Sequence, residues 1–496
     1  MQRKQLTLVI VSLLVVVLSV SLAYFTAQII GKGKDVSVTS ANLQIVFTDS
    51  DGALTETDIE PGWSATKTFT IKNDTKTEYK YNIVIKDLVN TFVTNGYLQY
   101  KITTTNGGYN MTEFKDIPKS SAPKDTILAY SVVIPNGVTQ SYTIEFKYTN
   151  DESVDQSDDM GKKLSGTLFI TEGTEDPNKT LLTQLLVDKS TKLTRTDFSK
   201  VLTNDNTNTL YTSTEDSKTV YYFAGNATDN WVKFGKNESN QDLYWRIIRT
   251  NSDGGVRLLY HGTSTTATDA VINASTAFNS SYNNIASVSY MYGSLGGILN
   301  ARENTTNSTI KTIIDNWYKD NLNTNYGKYL STTAVYCNDR STSDNYEFGA
   351  YTRLDTNKTP TYDCATTEDK FTVDTSTGNG KLTYPIALMT ADEVAFAGGV
   401  DATNAETWYY YNSANGSSTG STWWWLLSPY FWDDRYAFVF GVDGSSSPGR
   451  LASYRVGSTY GVRPAISLKS CVKYSTGNGS ASDPYTIKET ETETGC

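Results

Sequence analysis

Residues 243–260 read LYWRIIRTNSDGGVRLLY, which is two short apolar runs separated by Asp253-Gly254-Gly255. Runs of this length that are rich in β-branched and aromatic residues are typical of strands. An Asp-Gly pair between them favours a tight turn, because glycine readily adopts the positive φ that such turns require. The stretch therefore predicts a β-hairpin in the C-terminal half of the chain.

Two helices are expected downstream of this hairpin. The first covers residues 308–322, where the apolar residues recur at the spacing of one helix face: Ile310, Ile313, Ile314, Trp317 and Tyr318. The second begins after Thr390, a suitable N-cap because its hydroxyl can accept a hydrogen bond from the first turn. Strands combined with a few helices predict an α+β domain over residues 217–490, followed by a tail at 491–496.

Three motifs in this region are specific enough to suggest a family. They are YWRII at 244–248, WWLLSP at 424–429 and GVRPAI at 461–466. Together they resemble a bacterial domain family of unknown function. Its fold is similar to the C-type-lectin-like fold, as found in formylglycine-generating enzymes and in the variable proteins of diversity-generating retroelements. The resemblance implies a C-type-lectin-like domain, in which five residues maintain the fold: Trp245, Trp424, Trp425, Arg463 and Pro464.

The segment between the last two motifs is aromatic and polar. In C-type-lectin-like domains the corresponding loops and strands form the ligand surface. Tyr, Trp and Arg give rigid contact area and hydrogen bonds, which is what binding surfaces use. The alternative is that about half of these side chains fill the core. The candidate ligand-binding residues are Tyr430, Trp432, Asp433, Asp434, Arg435, Tyr436, Tyr454, Arg455 and Tyr460.

The chemistry of related folds is not expected here. Formylglycine-generating enzymes need a reactive or copper-binding cysteine pair, and only Cys471 lies near the last strand. Calcium-dependent lectins use a Glu/Gln-Pro-Asn/Asp tripeptide, and the sequence 432–434, Trp-Asp-Asp, has no such tripeptide before it. The single histidine, His261, cannot form a histidine metal cluster. We therefore expect no catalytic residues, no metal and no cofactor.

The preceding region, residues 31–175, has the pattern of an antiparallel β-sandwich. Apolar and polar residues alternate in short runs such as 65–71, and turn signals such as Pro135-Asn136-Gly137 separate the runs. Pro61-Gly62, the run 68–73 and the leader ending at 23–26 resemble camelysin-type and biofilm-fibre matrix proteins of Gram-positive bacteria. A generic immunoglobulin-like spacer accounts for the same pattern equally well.

The N-terminus, residues 1–30, predicts export. Arg3 and Lys4 precede a charge-free apolar segment at 6–25. About 20 apolar residues can span a bilayer as a helix, and a charged start before an apolar stretch is also the pattern of a signal peptide. The segment is either a membrane anchor or a leader cleaved after Ala23. In both cases the remainder of the chain is expected outside the cytoplasm.

Charge and cysteines narrow the class of protein further. The net charge of −10, with no basic run beyond the N-terminus, argues against a nucleic-acid partner.

Cys337 and Cys364 lie in one loop-rich insertion, and an exported location permits a disulfide between them. Four cysteines allow three pairings, and the sequence alone does not select one. We nevertheless expect a disulfide between Cys337 and Cys364 in preference to a metal site. Residues 176–216 are expected to be a linker containing a short helix.

The combined interpretation is an extracytoplasmic, surface-anchored binding or adhesion protein without enzymatic activity. Its distal domain would recognise a glycan or a protein. One alternative is a structural matrix or fibre subunit that assembles by strand addition to the sandwich. A second alternative is an exported glycoside hydrolase, for which Asp433, Asp434 and Asp443 are the local carboxylates.

Overall fold

The computed structural model of the chain describes residues 25–30, 36–40, 43–49, 53–111, 113–268, 270–342, 346–400, 422–444 and 449–489, with side chains from residue 60 onward. The fold is mostly β, with 41% strand and 14% helix, which confirms the predominance of strands that the short alternating runs predict. The chain divides into two compact units, Met1–Pro177 and Asn178–Cys496.

The first unit consists of two sheets. Its strands are β1 (Phe25–Ile30), β2 (Val36–Ser40), β3 (Leu43–Asp49), β4 (Ala53–Ile59), β5 (Ser64–Asn73), β6 (Tyr79–Asn90), β7 (Leu98–Thr104), β8 (Lys115–Asp116), β9 (Ser120–Ile134), β10 (Thr139–Tyr148) and β11 (Lys163–Glu172). One sheet has the order β4-β1-β11-β6-β9 and the other has the order β2-β3-β5-β10-β7-β8. The strands are antiparallel neighbours except for β1, which runs parallel to β11.

A single apolar core joins the two sheets of this unit. Alternate residues of β5 and β10, such as Phe69 and Ile144, are buried, as the period of a strand requires. They pack in one cluster with residues of β6 and β11, such as Ile83 and Leu168, from the other sheet. The sequence prediction of a sandwich is therefore correct in its layers. It was wrong in expecting antiparallel pairing throughout, because β1 pairs with β11 in parallel.

The predicted leader needs one correction. Most of the apolar segment 6–25 lies outside the described residues, so the structure does not describe an N-terminal membrane helix. No helix within the described ranges is long and apolar enough to cross a membrane. Residues 25–30, which the sequence assigned to the leader, instead form β1 and pair with β4 and β11.

The second unit contains the remaining strands and most of the helices. The strands are β12 (Thr191–Thr194), β13 (Thr209–Glu215), β14 (Lys218–Tyr222), β15 (Trp231–Lys236), β16 (Asp242–Thr250), β17 (Val256–Gly262), β18 (Asn273–Ala277), β19 (Met291–Tyr292), β20 (Thr306–Asn307), β21 (Tyr336–Cys337), β22 (Lys370–Phe371), β23 (Ile386–Leu388), β24 (Trp424–Trp432), β25 (Ala437–Val442), β26 (Leu451–Arg455), β27 (Thr459–Val462), β28 (Pro464–Leu468), β29 (Tyr474–Thr476) and β30 (Tyr485–Ile487). The α-helices are α1 (Leu181–Asp188), α2 (Ile298–Ala301), α3 (Thr309–Asn321), α4 (Asn323–Tyr326), α5 (Gly349–Tyr351) and α6 (Ala391–Ala397).

Two sheets organise this unit. A curled ten-stranded sheet contains the predicted hairpin, in which β16 and β17 pair antiparallel. A five-stranded sheet has the order β18-β27-β24-β25-β26. Both predicted helices are confirmed, α3 behind the N-cap Ser308 and α6 behind the N-cap Thr390. Helix α3 buries Ile310, Ile314 and Tyr318 against the core, as their spacing predicts.

Most of the expected linker belongs to the second unit. Helix α1 buries Leu181 and Leu185 in the core, and β12 and β13 join the ten-stranded sheet. The predicted linker over 176–216 is therefore wrong beyond its first residues. The expected short helix is present, but it ends at Asp188. The Thr-rich strand β12 has all four residues exposed, so no apolar period marks it in the sequence.

The five residues that the resemblance assigned to fold maintenance are all buried. The indole nitrogens of Trp245 and Trp425 donate to the carbonyls of Phe234 at 2.8 Å and Thr276 at 2.7 Å. Arg463 donates from Nε to the carbonyl of Tyr260 at 2.8 Å. These hydrogen bonds satisfy polar atoms inside an apolar core, where leaving them unpaired is costly.

Candidate functional surface

The predicted ligand-binding residues lie on the five-stranded sheet and its turns. Strand β25 pairs with β24 on one side and β26 on the other. Side chains alternate between the two faces of a strand. The pairing Phe438 with Arg455 and the pairing Val439 with Tyr454 therefore face opposite ways. The structure does not bring all nine candidates into one site, because the sheet separates them into two groups.

Tyr454 and Tyr460 form the inner group. Tyr454 is buried, and its ring lies 4.5 Å from Trp423 and 4.7 Å from Tyr460, centroid to centroid. Tyr460 also packs on Trp425 at 4.9 Å. Burial, helped by the negative charge of Asp443, raises the pKa of the Tyr460 hydroxyl. These two tyrosines therefore pack with Trp425 and contribute to the core, as the alternative to ligand binding predicted for about half of the candidates.

The outer group contains a row of stacked side chains, which we call the aromatic row: Phe431, Phe438, Arg455, Tyr436 and Tyr282. Phe431 and Phe438 stack at 4.5 Å with 9° between their planes. Arg455 lies 5.9 Å from Phe438 and 4.0 Å from Tyr436. Tyr436 in turn stacks on Tyr282 at 6.1 Å. The row is continuous, and it is built from β24, β25, β26 and the loop before Ile285.

The turn between β24 and β25 holds Tyr436 in this row. Oδ1 of Asp433 accepts hydrogen bonds from the backbone nitrogens of Arg435, at 2.9 Å, and Tyr436, at 2.5 Å. Asp434 adopts a left-handed φ of +65°, which Asp and Asn tolerate better than most residues. Asp433 is thus a turn-forming residue, while Asp434 and Arg435 are exposed.

The row continues toward residues 346–348. The backbone nitrogen of Trp432 donates to the carbonyl of Tyr346 at 3.1 Å, and that of Phe348 donates to Tyr430 at 3.0 Å. Trp432 and Tyr430 are half-buried and pack on the core. Tyr430 has Tyr351, Phe431 and Phe440 around its ring. Tyr346 is 46% exposed at the end of this bridge.

The segment after Tyr282 carries two exposed leucines, one in a glycine-rich loop and one in helix α2. Leu295 is 51% exposed and Leu299 is 78% exposed. The backbone nitrogen of Gly296 donates to Oδ1 of Asn284 at 3.2 Å, which fixes this loop next to the segment that carries Tyr282. We call the aromatic row, Leu295, Leu299 and Tyr346 together the exposed apolar surface.

The sequence interpretation missed Tyr282, Phe431, Phe438, Leu295, Leu299 and Tyr346. Phe431 and Phe438 lie inside the segment that it singled out but are not among its nine candidate residues. Large apolar residues within a Gly-Ser-rich loop, as in GSLGGIL at 293–299, were the available signal for the leucines. Nothing local links Tyr282 to Tyr436, since their contact is made only by tertiary packing.

A second cluster of polar groups lies around helix α6 and the cleft that it borders. Arg249 pairs with Glu215 at 2.8 Å and with Glu393 at 2.9 Å, and Arg257 pairs with Glu393 at 2.7 Å. Arg353 pairs with Asp339 at 2.6 Å and with Asp392 at 2.9 Å. The cleft between them has room for about one water molecule. The arrangement is a paired ionic network that lines a narrow cleft.

Electrostatics in this network favour a structural role. Burial alone would raise the pKa of Glu393, but the charges of Arg257 and Arg249 and a hydrogen bond from Thr390 lower it to about 2. The pKa of Glu215 is lowered for the same reason, mainly by Arg249. Carboxylates held ionised in this way cannot donate a proton as a general acid near neutral pH. The network instead ties the β16–β17 hairpin to helix α6.

Cys337 and Cys364 form a disulfide at the edge of the same cleft, with 5.7 Å between their Cα atoms. Cys471 is disulfide-bonded as well. Among the described residues, no three His, Cys, Asp or Glu side chains are grouped so that they could hold a metal ion.

One family model matches the chain, over residues 315–470, and its description is DUF6273, a domain of unknown function. No curated protein matches the chain. The matched range contains the motifs at 424–429 and 461–466 and most of the aromatic row. The motif at 244–248 and the residues Tyr282, Leu295 and Leu299 lie before it.

Proposed function

We propose that the chain is an extracytoplasmic recognition protein, and that its second unit binds a ligand through the exposed apolar surface. We further propose that this unit is a variant of the C-type-lectin-like fold. The first unit would act as a stalk or spacer, attached to the membrane through residues 6–25 or released by cleavage after Ala23. This assignment involves no catalysis and no cofactor.

The observation that carries the proposal is where apolar side chains are exposed. Six large apolar residues of the second unit are exposed among those described: Val187, Leu193, Tyr282, Leu295, Leu299 and Tyr346. Four of the six belong to the exposed apolar surface. Scattered exposure of this kind is normal, but clustering next to stacked aromatics and arginines is typical of interaction sites.

The aromatic row has a rigid support, which favours a binding role. The aromatic row stands on strands β24, β25 and β26, whose opposite face is fixed by Tyr454, Trp425 and the core. Sites on strands keep their geometry better than sites on free loops, and pre-organisation lowers the entropy cost of binding.

The test is a binding screen with the full-length protein. It would be applied to a glycan array and to intact bacterial and host cells, beside the double variant Tyr436→Ala/Arg455→Gln. We expect binding by the native protein that falls roughly 30-fold in the variant, because central aromatic and arginine residues dominate interfaces. Both side chains lie on the surface of the sheet, so the melting temperature should change little.

Two results would contradict the proposal. Undiminished binding by the double variant would place the site elsewhere. Absence of binding to every probe, together with fibre formation by the full-length protein, would favour the structural alternative, in which the sandwich assembles by strand addition.

A further inference from the structure

We infer that the exposed apolar surface takes a protein segment, one that presents an apolar side chain beside a carboxylate, and not a sugar. This inference rests on the proposed function, because it names the class of ligand for that same surface. It follows from which parts of the aromatic rings remain available.

Each ring in the aromatic row has at least one face covered by a neighbour. Phe431 and Phe438 cover each other at 4.5 Å with nearly parallel planes, and Tyr430 packs against the side of Phe431. Tyr436 has Arg455 over its ring at 4.0 Å and Tyr282 stacked on it. A row of stacked rings therefore presents edges to solvent.

Ring edges and ring faces attract different groups. The face of an aromatic ring is electronegative and the edge is electropositive. The C–H groups of a pyranose carry a weak positive charge and pack on ring faces, so a sugar platform needs at least one open face. Edges instead attract oxygen atoms such as those of peptide carbonyls and carboxylates. The end ring, Tyr282, has Tyr436 stacked on it, and the backbone of Gly457 packs against its Cγ and Cδ1 atoms, so it provides no open platform for a sugar.

The two arginines indicate acidic groups in the ligand. Arg435 and Arg455 are exposed and lie over Tyr436 at 5.1 and 4.0 Å. Within the described part of the chain, their guanidinium groups make no ion pair. A guanidinium that is held flat on a ring keeps its N–H groups free at the edge, and these can bind a carboxylate in a bidentate manner.

The exposed leucines Leu295 and Leu299 indicate a protein ligand and not a small polar one. Leu295 and Leu299 present aliphatic side chains to solvent, in the segment that the Gly296–Asn284 hydrogen bond joins to the chain near Tyr282. Aliphatic side chains cannot hydrogen-bond to sugar hydroxyls, and burying those hydroxyls without partners is unfavourable. Protein interfaces, by contrast, combine an apolar centre with aromatic and arginine residues.

The test uses two defined probes with the full-length protein. One is a phage library of random dodecapeptides, and the other is a glycan array. We expect enrichment of peptides that carry Asp or Glu next to an aromatic or aliphatic residue, and no binding to glycans. Leu299→Ser and Arg455→Gln should each weaken peptide binding roughly 10-fold or more.

Val187→Ser is the matched control, since Val187 is an exposed aliphatic residue on helix α1, outside this surface. It should bind like the native protein. Glycan binding that is lost in Tyr436→Ala would overturn the inference while leaving the proposed function in place. Failure of both probes would overturn both. Leu299 is 78% exposed, so its replacement should not impair folding.

Discussion

Single residues show how the second unit depends on buried polar groups. His261, the only histidine, is fully buried in β17 with its ring 4.2 Å from Trp231. Its placement at the end of an apolar strand indicates a structural role, and the neighbours Arg246 and Arg463 oppose a positive charge there. The residue therefore couples the stability of the core to pH.

Burial, and then the charges of Arg463 and Arg246, lower the pKa of His261 well below its usual 6.5. The unfolded chain binds a proton near pH 6.5 and the folded chain does not. The free energy of unfolding should therefore fall as the pH decreases from about 6.5 to 5, by at most about 1.4 kcal/mol per pH unit. Urea denaturation of native protein and His261→Leu would measure this slope. An equal slope in both would show that another group is responsible.

Glu393 provides a second test at the residue scale. It is buried between Arg249 and Arg257, at 2.9 and 2.7 Å. Glu393→Gln leaves two buried guanidinium groups with less compensation and should reduce the free energy of unfolding by about 3–5 kcal/mol. Asp242→Asn is the matched control, since Asp242 pairs with exposed lysines 3.5 Å away and should cost less than about 1 kcal/mol. Similar losses in both variants would contradict the role of the network.

At the scale of secondary-structure elements, the disulfide joins strand β21 to the loop-rich insertion that follows it. Its contribution to stability can be measured directly. Cys337 and Cys364 are 27 residues apart. In the chain-entropy model, closing a loop of this length stabilises the fold by about 3–4 kcal/mol. The double variant Cys337→Ser/Cys364→Ser should lose that amount in chemical denaturation. Substitution is preferable to a reducing agent, because Cys471 is also disulfide-bonded. No loss would mean that packing alone fixes the insertion.

The elements also show what the sequence could and could not predict. The β16–β17 hairpin and helices α3 and α6 were predictable, because each depends on local turn, spacing or capping signals. Strand β12 was not, since its four exposed residues have no apolar period. The aromatic row was only half predictable. Tyr436 and Arg455 lie in the segment that the sequence predicts as a ligand surface. Tyr282 lies outside that segment and contacts Tyr436 only through tertiary packing.

At the scale of the whole molecule, the two units have separate cores. The core of the first unit includes Ile144, the core of the second includes Ile314, and the two clusters share no residue. We predict two unfolding transitions in calorimetry. Ile144→Ala should lower the temperature of one transition and Ile314→Ala that of the other, because each removal leaves a cavity in one core. A joint shift of both transitions would show that the units unfold as one.

For the molecule as a whole, we propose that ligand recognition occurs on the exposed apolar surface of the second unit. Hydrogen–deuterium exchange of the full-length protein, with and without a ligand from the binding screen, tests it most directly. We expect slower exchange at 282–299, 431–438 and 453–457 when the ligand is bound, and unchanged exchange in the first unit. Protection confined to the first unit, or to the cleft beside helix α6, would contradict it.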